Sequence, residues 1–230
     1  MMLISLKNIS ETYISKWTDY GLSRDKTHAK LSYSWYGSWT TLYNLYADSL
    51  LCFHLENTAL ARPSRLSLDP AHTPFSEQHI FALSDDHDFS KKKSTPGFVP
   101  HDIYKLQSDW YHNVIQRYGL PLDSRHLYTK SDWEFFAAAV SDRRTRTEIL
   151  QASAKWLNET STDRPLTDLH DTEGDGGFLG AYFMARPVVG GHFAFLTLAR
   201  ACGGDAERGL AFLEEVKEQE QGKGNVEYEL

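Results

Sequence analysis

The sequence predicts an all-α protein built from α/α hairpins. Apolar residues recur at three- and four-residue steps along most of the chain, and no stretch shows the sustained alternation of a strand. The 230 residues, 41% of them hydrophobic and 13% aromatic, suffice for one sizeable core. Long apolar helices alternate with amphipathic ones, which favours an inner layer of helices wrapped by an outer layer.

The first half of the chain contains one weak and two well-marked helical patterns. Ser10–Tyr20 forms the weak pattern. A stripe that follows the N-cap residue Ser38 predicts a helix to about Glu56, and a second stripe begins just after Pro100 and ends at Gly119. The two stripes consist of Trp39, Leu42, Tyr43, Tyr46, Leu50 and Phe53, then of Ile103, Leu106, Trp110, Val114 and Tyr118.

Four further helices complete a set of seven. Ser131–Val140 is apolar nearly all round, which predicts burial on every side, and Thr145–Asn158 is amphipathic. Pro187–Ala201 is again apolar on most faces, and Asp205–Glu218 is weaker. We expect four aromatic residues of these stripes to lie in the core: Trp133, Phe136, Trp156 and Phe193.

Composition divides the chain into four parts. Residues 1–56 and 100–218 carry the helical hairpins. Residues 57–99 lack periodicity and hold four prolines and a lysine run, which predicts a largely disordered insert or an error in the gene model. The charged residues 219–230 predict a disordered tail.

The charge balance argues against two classes of partner. A net charge of -7 and a pI near 5.8, without a basic stripe, disfavour nucleic acid and anionic membranes. No stretch approaches the ~18 to 20 apolar residues of a membrane span. The N-terminus has no basic region before its short apolar stretch, so it does not form a usable signal peptide.

Cysteines and sequons leave the compartment open. Cys52 and Cys202 lie in apolar helical patterns without metal-binding spacing, which favours buried small hydrophobes over a long-range disulfide. Two glycosylation triplets occur, Asn8–Ser10 and Asn158–Thr160, and such triplets also arise by chance.

The densest polar motif runs from Tyr118 to Glu134. Within it lie Asp123, Arg125, His126, Lys130, Asp132 and Glu134. These groups can supply an acid, a base and a cation for a developing oxyanion. No nucleophile is recognisable among them, since neither Ser124 nor Thr129 sits in a strand-to-helix elbow.

Simpler roles exist for the carboxylates of this motif. Ser131 with Glu134 fits one capping box, and Thr129 with Asp132 fits another, so both acids could be helix-capping groups. Asp123 could be a turn former or the partner of an arginine.

A second polar cluster precedes a glycine-rich stretch. It contains Asp168, His170 and Asp171, whose spacing is weak for a metal site. The glycines lack the phosphate-loop pattern. Arg186 stands at a helix start, where a ligand carboxylate could meet it, or it could pair with Asp171 or Asp175.

The helix that follows contains Gly190, Gly191 and His192. The two glycines most simply allow close helix packing, and the histidine is expected to be a core residue.

Antiparallel neighbouring helices place alternate loops at the same end of the molecule. Loops 21–37, 119–130 and 159–186 therefore share one end, and the first of them carries Trp35 and Tyr36. We expect the polar candidates to converge there.

Three segments of this sequence resemble the six-hairpin domain of the fungal glutaminase A family. They are YGLPLDSRHLYTKSDWE from residue 118, DRPLTDLHDT from residue 163 and ARPVVGGHFA from residue 185, and the resemblance covers roughly 28–56 and 98–203. It implies an (α/α)6 toroid whose cavity is lined at one end by loops, a secreted or cell-surface protein, and hydrolysis of L-glutamine to L-glutamate and ammonia. The family pattern is longer, so the chain resembles its C-terminal portion.

This resemblance, together with the motifs, defines the candidate site. The catalytic candidates are Asp123, Arg125, His126, Lys130, Asp168 and Asp171. The substrate-binding candidates are Arg186, Trp35, Tyr36, Asp132 and Glu134. We expect no cofactor and no metal.

Two other functions remain open. Carboxylates and the aromatics Tyr33, Trp35, Tyr36 and Tyr128 also suit a glycan-active or glycan-binding domain. The chain could instead be a non-catalytic remnant, because its seven helices are fewer than the twelve of a closed ring. We expect weak or no glutaminase activity from this chain alone, and self-association through uncovered helices.

Overall fold

The computed structural model describes residues 11–12, 15–55, 97–161, 167–177 and 183–214. Its α-helices are α1 (Asn44–Leu50), α2 (His101–Val114), α3 (Ser131–Ala139), α4 (Arg143–Glu159), α5 (Ala194–Leu198) and α6 (Asp205–Arg208). Three 3-10 helices span Pro187–Phe193, Ala201–Gly204 and Ala211–Glu214, and residues 15–20 are also helical. The all-α prediction is confirmed.

Helix α3 lies at the centre of the fold. It packs against α1, α4, α5 and the Pro187–Phe193 helix. Three consecutive alanines, 137–139, are buried on α3, and small side chains let neighbouring helices approach closely. Gly191 has the same role, because a Cβ there would lie 2.7 Å from the Cβ of Asp132, so the predicted close packing is confirmed at this glycine.

Most of the aromatic side chains predicted for the core are covered. Trp156 is buried, Phe136 packs against the core, and Trp133 is half-buried where it stacks on Tyr43 with ring centroids 3.9 Å apart. The prediction for Phe193 is wrong, because 62% of it is exposed. The segment before it is a 3-10 helix with three residues per turn, which shifts the face that a 3.6-residue period would bury.

Helix boundaries follow local hydrogen bonds. The carboxylate of Asp142 accepts a bond from the backbone N–H of Thr145 at 2.9 Å, which starts α4 two residues earlier than predicted. The predicted start of α1 is wrong, because the Ser38 hydroxyl donates to the carbonyl of Trp35 instead of capping a helix. The predicted end of α2 at Gly119 is also late, because residues 116–119 form a turn.

A short sheet joins two loops. Strands β1 (Tyr128–Lys130) and β2 (Leu169–Asp171) are antiparallel, with Tyr128 opposite Asp171, Thr129 opposite His170 and Lys130 opposite Leu169. Three residues are too few for apolar alternation to be visible in the sequence.

The two cysteines form a disulfide bond, so the expectation of free buried thiols is wrong. Cys52 follows α1, and Cys202 lies 150 residues later in the 3-10 helix Ala201–Gly204. Sequence periodicity cannot reveal such a pairing, because it depends on how distant segments fold together.

Several predictions lie outside the described residues. They concern the insert over 57–96, the tail over 219–230, Ser10 and residues 215–218 of the last predicted helix. Where the structure describes the chain, none of its helices combines the length and apolar character needed to cross a bilayer.

Candidate active site

Three loops meet at one end of the helices. The backbone N–H of Thr41 donates to the carbonyl of Leu122 at 2.8 Å, and that of Ser124 donates to Trp39 at 3.0 Å. The β1–β2 ladder then ties the loop that follows Gly119 to residues 167–177. Two of the loops predicted to share one end, 119–130 and 159–186, are therefore in direct contact.

Asp123 and Arg125 form an ion pair in the loop that follows Gly119. Both oxygens of the buried Asp123 carboxylate accept bonds from the Arg125 guanidinium, at 3.0 and 2.8 Å, and the Arg125 backbone N–H adds a third bond. Burial raises the pKa of Asp123, but the bonds from Arg125 outweigh it and the pKa is lowered. The pair matches the arginine-partner interpretation of Asp123.

Aromatic and basic side chains line the exposed edge of the same end. The His126 ring stacks on Tyr128 with centroids 4.7 Å apart. Tyr36 is exposed under the Lys30 ammonium, 4.7 Å from its ring centre, and Trp35 is exposed beside it. These side chains are accessible to a ligand.

Arg186 is held by Asp168. Its Nε donates to Asp168 Oδ1 at 2.8 Å and its Nη2 donates to Oδ2, while its guanidinium carbon lies 4.4 Å from the Phe183 ring centre. Asp168 is fully buried, whereas about a third of the Arg186 side chain is exposed. The suggested pairing of Arg186 with Asp171 or Asp175 is therefore wrong.

Asp132 is one of three described carboxylates, with Asp48 and Glu134, that have a buried oxygen without a hydrogen-bond partner. Only 5% of the residue is exposed, and its Oδ1 has no hydrogen-bond partner in the described part of the chain. The Lys130 ammonium lies 3.8 Å from that oxygen. Burial raises the pKa of Asp132, Lys130 lowers it and Asp168 raises it further, and the net shift is upward.

Ser131 and His192 meet beside Asp132. His192 Nε2 lies 2.9 Å from Ser131 Oγ, and its ring packs on Phe135. Burial lowers the pKa of His192, which keeps the ring neutral near pH 7 although Asp132 and Asp168 oppose the shift. Sequence reasoning placed this half-buried histidine in the core, and its position in the ARPVVGGHFA motif was the available signal.

Neither capping box forms. The N-cap residue of α3 is Lys130, and no side chain caps that helix. Glu134 is fully buried and accepts the backbone N–H of Leu120 at 2.7 Å. Burial raises its pKa well above the usual value. Glu134 thus holds the loop against α3 from inside the fold.

His170 and Asp171 point to opposite faces of β2. His170 is fully buried, where its Nε2 lies 2.9 Å from the carbonyl oxygen of Tyr118 and its ring stacks on Trp156. Burial lowers its pKa to about 4. Asp171 is half-buried, and burial followed by repulsion from Asp175 raises its pKa. Among the described residues, no group of three or more His, Cys, Asp or Glu side chains could hold a metal ion.

The structure therefore brings most of the predicted polar residues into two groups, and Glu134 and Asp171 belong to neither. One is the Asp123–Arg125 pair with His126. The other, called here the Asp132 cluster, consists of Lys130, Ser131, Asp132, Asp168, Arg186 and His192. The cluster combines a buried carboxylate that has an unpartnered oxygen, two cations and an imidazole, and such groups can move protons and stabilise negative charge.

The fold of the described residues is that of an all-α domain with one short two-stranded sheet. The family model described as the glutaminase A six helical-hairpin domain matches residues 4–63 and 89–196. The chain belongs to that family.

Two curated fungal relatives are similar to it. A probable glutaminase of Arthroderma benhamiae is 58% identical over 91% of this chain, and glutaminase A of Aspergillus oryzae is 36% identical over 83%. The chain spans 22% of the length of each of these relatives. No solved structure matches it significantly.

Proposed function

We propose that this chain supplies the Asp132 cluster of a glutaminase-type amidohydrolase. The observation that carries the proposal is the Asp132 carboxylate, which is buried, incompletely hydrogen-bonded and flanked by Lys130 and the Ser131–His192 pair. An unsatisfied buried carboxylate is costly to maintain, and such groups concentrate at functional sites. The names of the two fungal relatives support an amide substrate.

Arg186 is the proposed anchor for the substrate. Asp168 occupies its Nε and Nη2, and among the described contacts Nη1 remains for an incoming carboxylate. The buried Asp168 fixes the plane of the guanidinium, so little rotamer freedom is lost on binding. The α-carboxylate of glutamine has the charge and shape for this position.

The chemistry then follows from the remaining side chains. Asp132 accepts a proton from water as the water oxygen attacks the side-chain amide carbon, and Lys130 stabilises the oxyanion that develops. Collapse of the tetrahedral intermediate breaks the C–N bond, and the proton on Asp132 passes to the leaving ammonia. Burial raises the pKa of Asp132, which makes it a better proton acceptor than an exposed aspartate.

We assign a positioning role to the Asp123–Arg125 pair. Arg125 already occupies both Asp123 oxygens, and the lowered pKa of Asp123 makes it a poor base. The same loop is bonded to the backbone of Trp39. The pair thus fixes the conformation of the loop that carries His126 and Tyr128.

A second candidate function is glycan binding. Three aromatics, Tyr33, Trp35 and Tyr36, are exposed within four residues, and an exposed aromatic platform is typical of sugar stacking. Substitution of Trp35 by alanine separates the two functions. If this surface holds a glycan, Trp35→Ala should abolish binding to an oligosaccharide array. If the surface holds no glycan, Trp35→Ala should leave glutamine binding intact.

The deciding experiment is ammonia release from L-glutamine, measured on this chain and on a version extended upstream. We expect the extended version to be active and this chain to be weak, because the chain spans 22% of the length of its two curated relatives. L-Asparagine and a set of aryl glycosides serve as substrate controls. No ammonia from either version would contradict the proposal.

A further inference from the structure

The sequon Asn158–Thr160 lies at the C-terminal end of α4, on the protein surface. Asn158 is exposed in the last turn of the helix, which ends at Glu159, and Thr160 continues as extended chain. The residue before Asn158 is also exposed to solvent, with 58% of Leu157 accessible. The buried face of α4, with Ile149, Ala152 and Trp156, points the other way.

The disulfide Cys52–Cys202 supplies an independent observation about compartment. Disulfides form and persist in oxidising environments such as the endoplasmic reticulum lumen, and they are rare in the cytosol. The bond uses both cysteines of the chain. The lumen is also where asparagines in such triplets receive N-linked sugars.

We propose that Asn158 carries an N-linked glycan. In the transfer, Asn158 Nδ2 loses a proton and bonds to the first sugar carbon of a lipid-linked pyrophosphate oligosaccharide, while the lipid pyrophosphate leaves. A bulky, hydrated glycan there would cover Leu157 and keep this end of α4 in solvent.

Glu159 offers a matched control within the triplet. Its carboxylate accepts hydrogen bonds from Arg117 and from the Tyr118 hydroxyl, both at 2.8 Å. The glycosylation triplet requires only its first and third residues, apart from excluding proline at the middle position. Glu159→Gln therefore alters local contacts and keeps the sequon. Asn158→Gln and Thr160→Ala remove it.

The test uses the full chain behind a secretion leader in a fungal host, with Asn8→Gln in every variant so that one triplet remains. Cell lysate and medium are digested with peptide N-glycosidase in heavy-oxygen water, and the peptide with residue 158 is analysed by mass spectrometry. We expect Asp carrying one heavy oxygen at position 158 in the parent and in Glu159→Gln. We expect none in Asn158→Gln or Thr160→Ala.

An unmodified Asn158 in both fractions of the parent would overturn the proposal. The outcome is independent of glutamine hydrolysis, because the measurement reads only the modification.

Discussion

At the scale of single residues, three buried carboxylates differ because their partners differ. Asp123 accepts three hydrogen bonds from Arg125, and its pKa is lowered. Asp132 faces Lys130 without a complete set of bonds, and Glu134 receives one backbone N–H, so burial raises the pKa of both. All three side chains carry a carboxyl group, and only the fold separates the ion-paired Asp123 from the two residues whose pKa is raised.

Asp132→Asn should abolish ammonia release in the extended version of the chain. The amide cannot accept the proton of the attacking water, so we expect a loss of about 100-fold or more in kcat with little change in KM. Asp19→Asn, at an exposed position, is the control. A comparable loss in the control, or full activity in Asp132→Asn, would contradict the assignment.

His170 should make folding stability fall in mild acid. Its folded pKa, about 4, is below the ordinary 6.5, so the unfolded chain binds more protons between these values. This contribution to stability is fully present above pH 6.5 and is lost as the pH falls towards 4, by up to about 3 kcal/mol.

Urea unfolding at pH 7 and pH 5 checks this expectation. His170→Gln keeps a bond to the Tyr118 carbonyl without titrating, so its loss of stability between the two pH values should be smaller than that of the parent. Equal losses in the two proteins would show that other groups cause the effect.

The sequence predicted which loops meet better than it predicted which side chains pair. The loops containing Lys130 and Arg186 were expected at one end, and the β1–β2 ladder places Lys130 opposite Leu169 of the second loop. The partner of Arg186 was missed, because Asp168 is chosen by loop geometry that no periodicity encodes. His192 was assigned to the core because an apolar segment hides which residue faces a polar neighbour.

At the scale of elements, the junction between α2 and the polar loop depends on one glycine. Gly119 has a φ of +144°, and a Cβ there would lie 2.1 Å from Glu134 Oε1. The Glu134 carboxyl group, which accepts the backbone N–H of Leu120, therefore occupies the space that a side chain at position 119 would need. Helix ends depend on local contacts that periodicity does not encode. The Ser38 hydroxyl bonds to Trp35 before α1, and residues 116–119 form a turn after α2, so the predicted start of α1 and end of α2 were wrong.

Gly119→Ala should lower the free energy of unfolding by roughly 3 kcal/mol, from backbone strain plus a steric clash. Gly174→Ala is the matched control, because its φ is also positive, +62°, but nothing lies within 4 Å of the added carbon. We expect the control to cost about 1 kcal/mol, the strain alone. Equal costs in urea unfolding would show that the clash with Glu134 is relieved.

At the scale of the whole molecule, the disulfide should be a major source of stability. It closes a loop across a sequence separation of 150, for which loop entropy predicts about 5 kcal/mol. Cys52→Ser with Cys202→Ser should lower the urea midpoint markedly, and a reductant should then have no further effect. A double variant as stable as the oxidised parent would contradict this expectation.

We propose that the chain self-associates through apolar surface. Phe193 and Leu196 are each 62% exposed, three residues apart, where the fold leaves them uncovered. Phe193→Ser with Leu196→Ser should reduce the mass measured by light scattering after size-exclusion chromatography. A monomeric parent chain at high concentration would exclude this surface as the contact.

The disulfide also changes what a peptide-bond cut does to the molecule. Cys52 and Cys202 enclose the whole Asp132 cluster, so the chain between them is a covalent ring. A single cut anywhere within that ring opens it and releases no fragment. If a protease cuts the chain once between Cys52 and Gly119, the disulfide keeps the two pieces together. They then migrate as one species until a reductant is added.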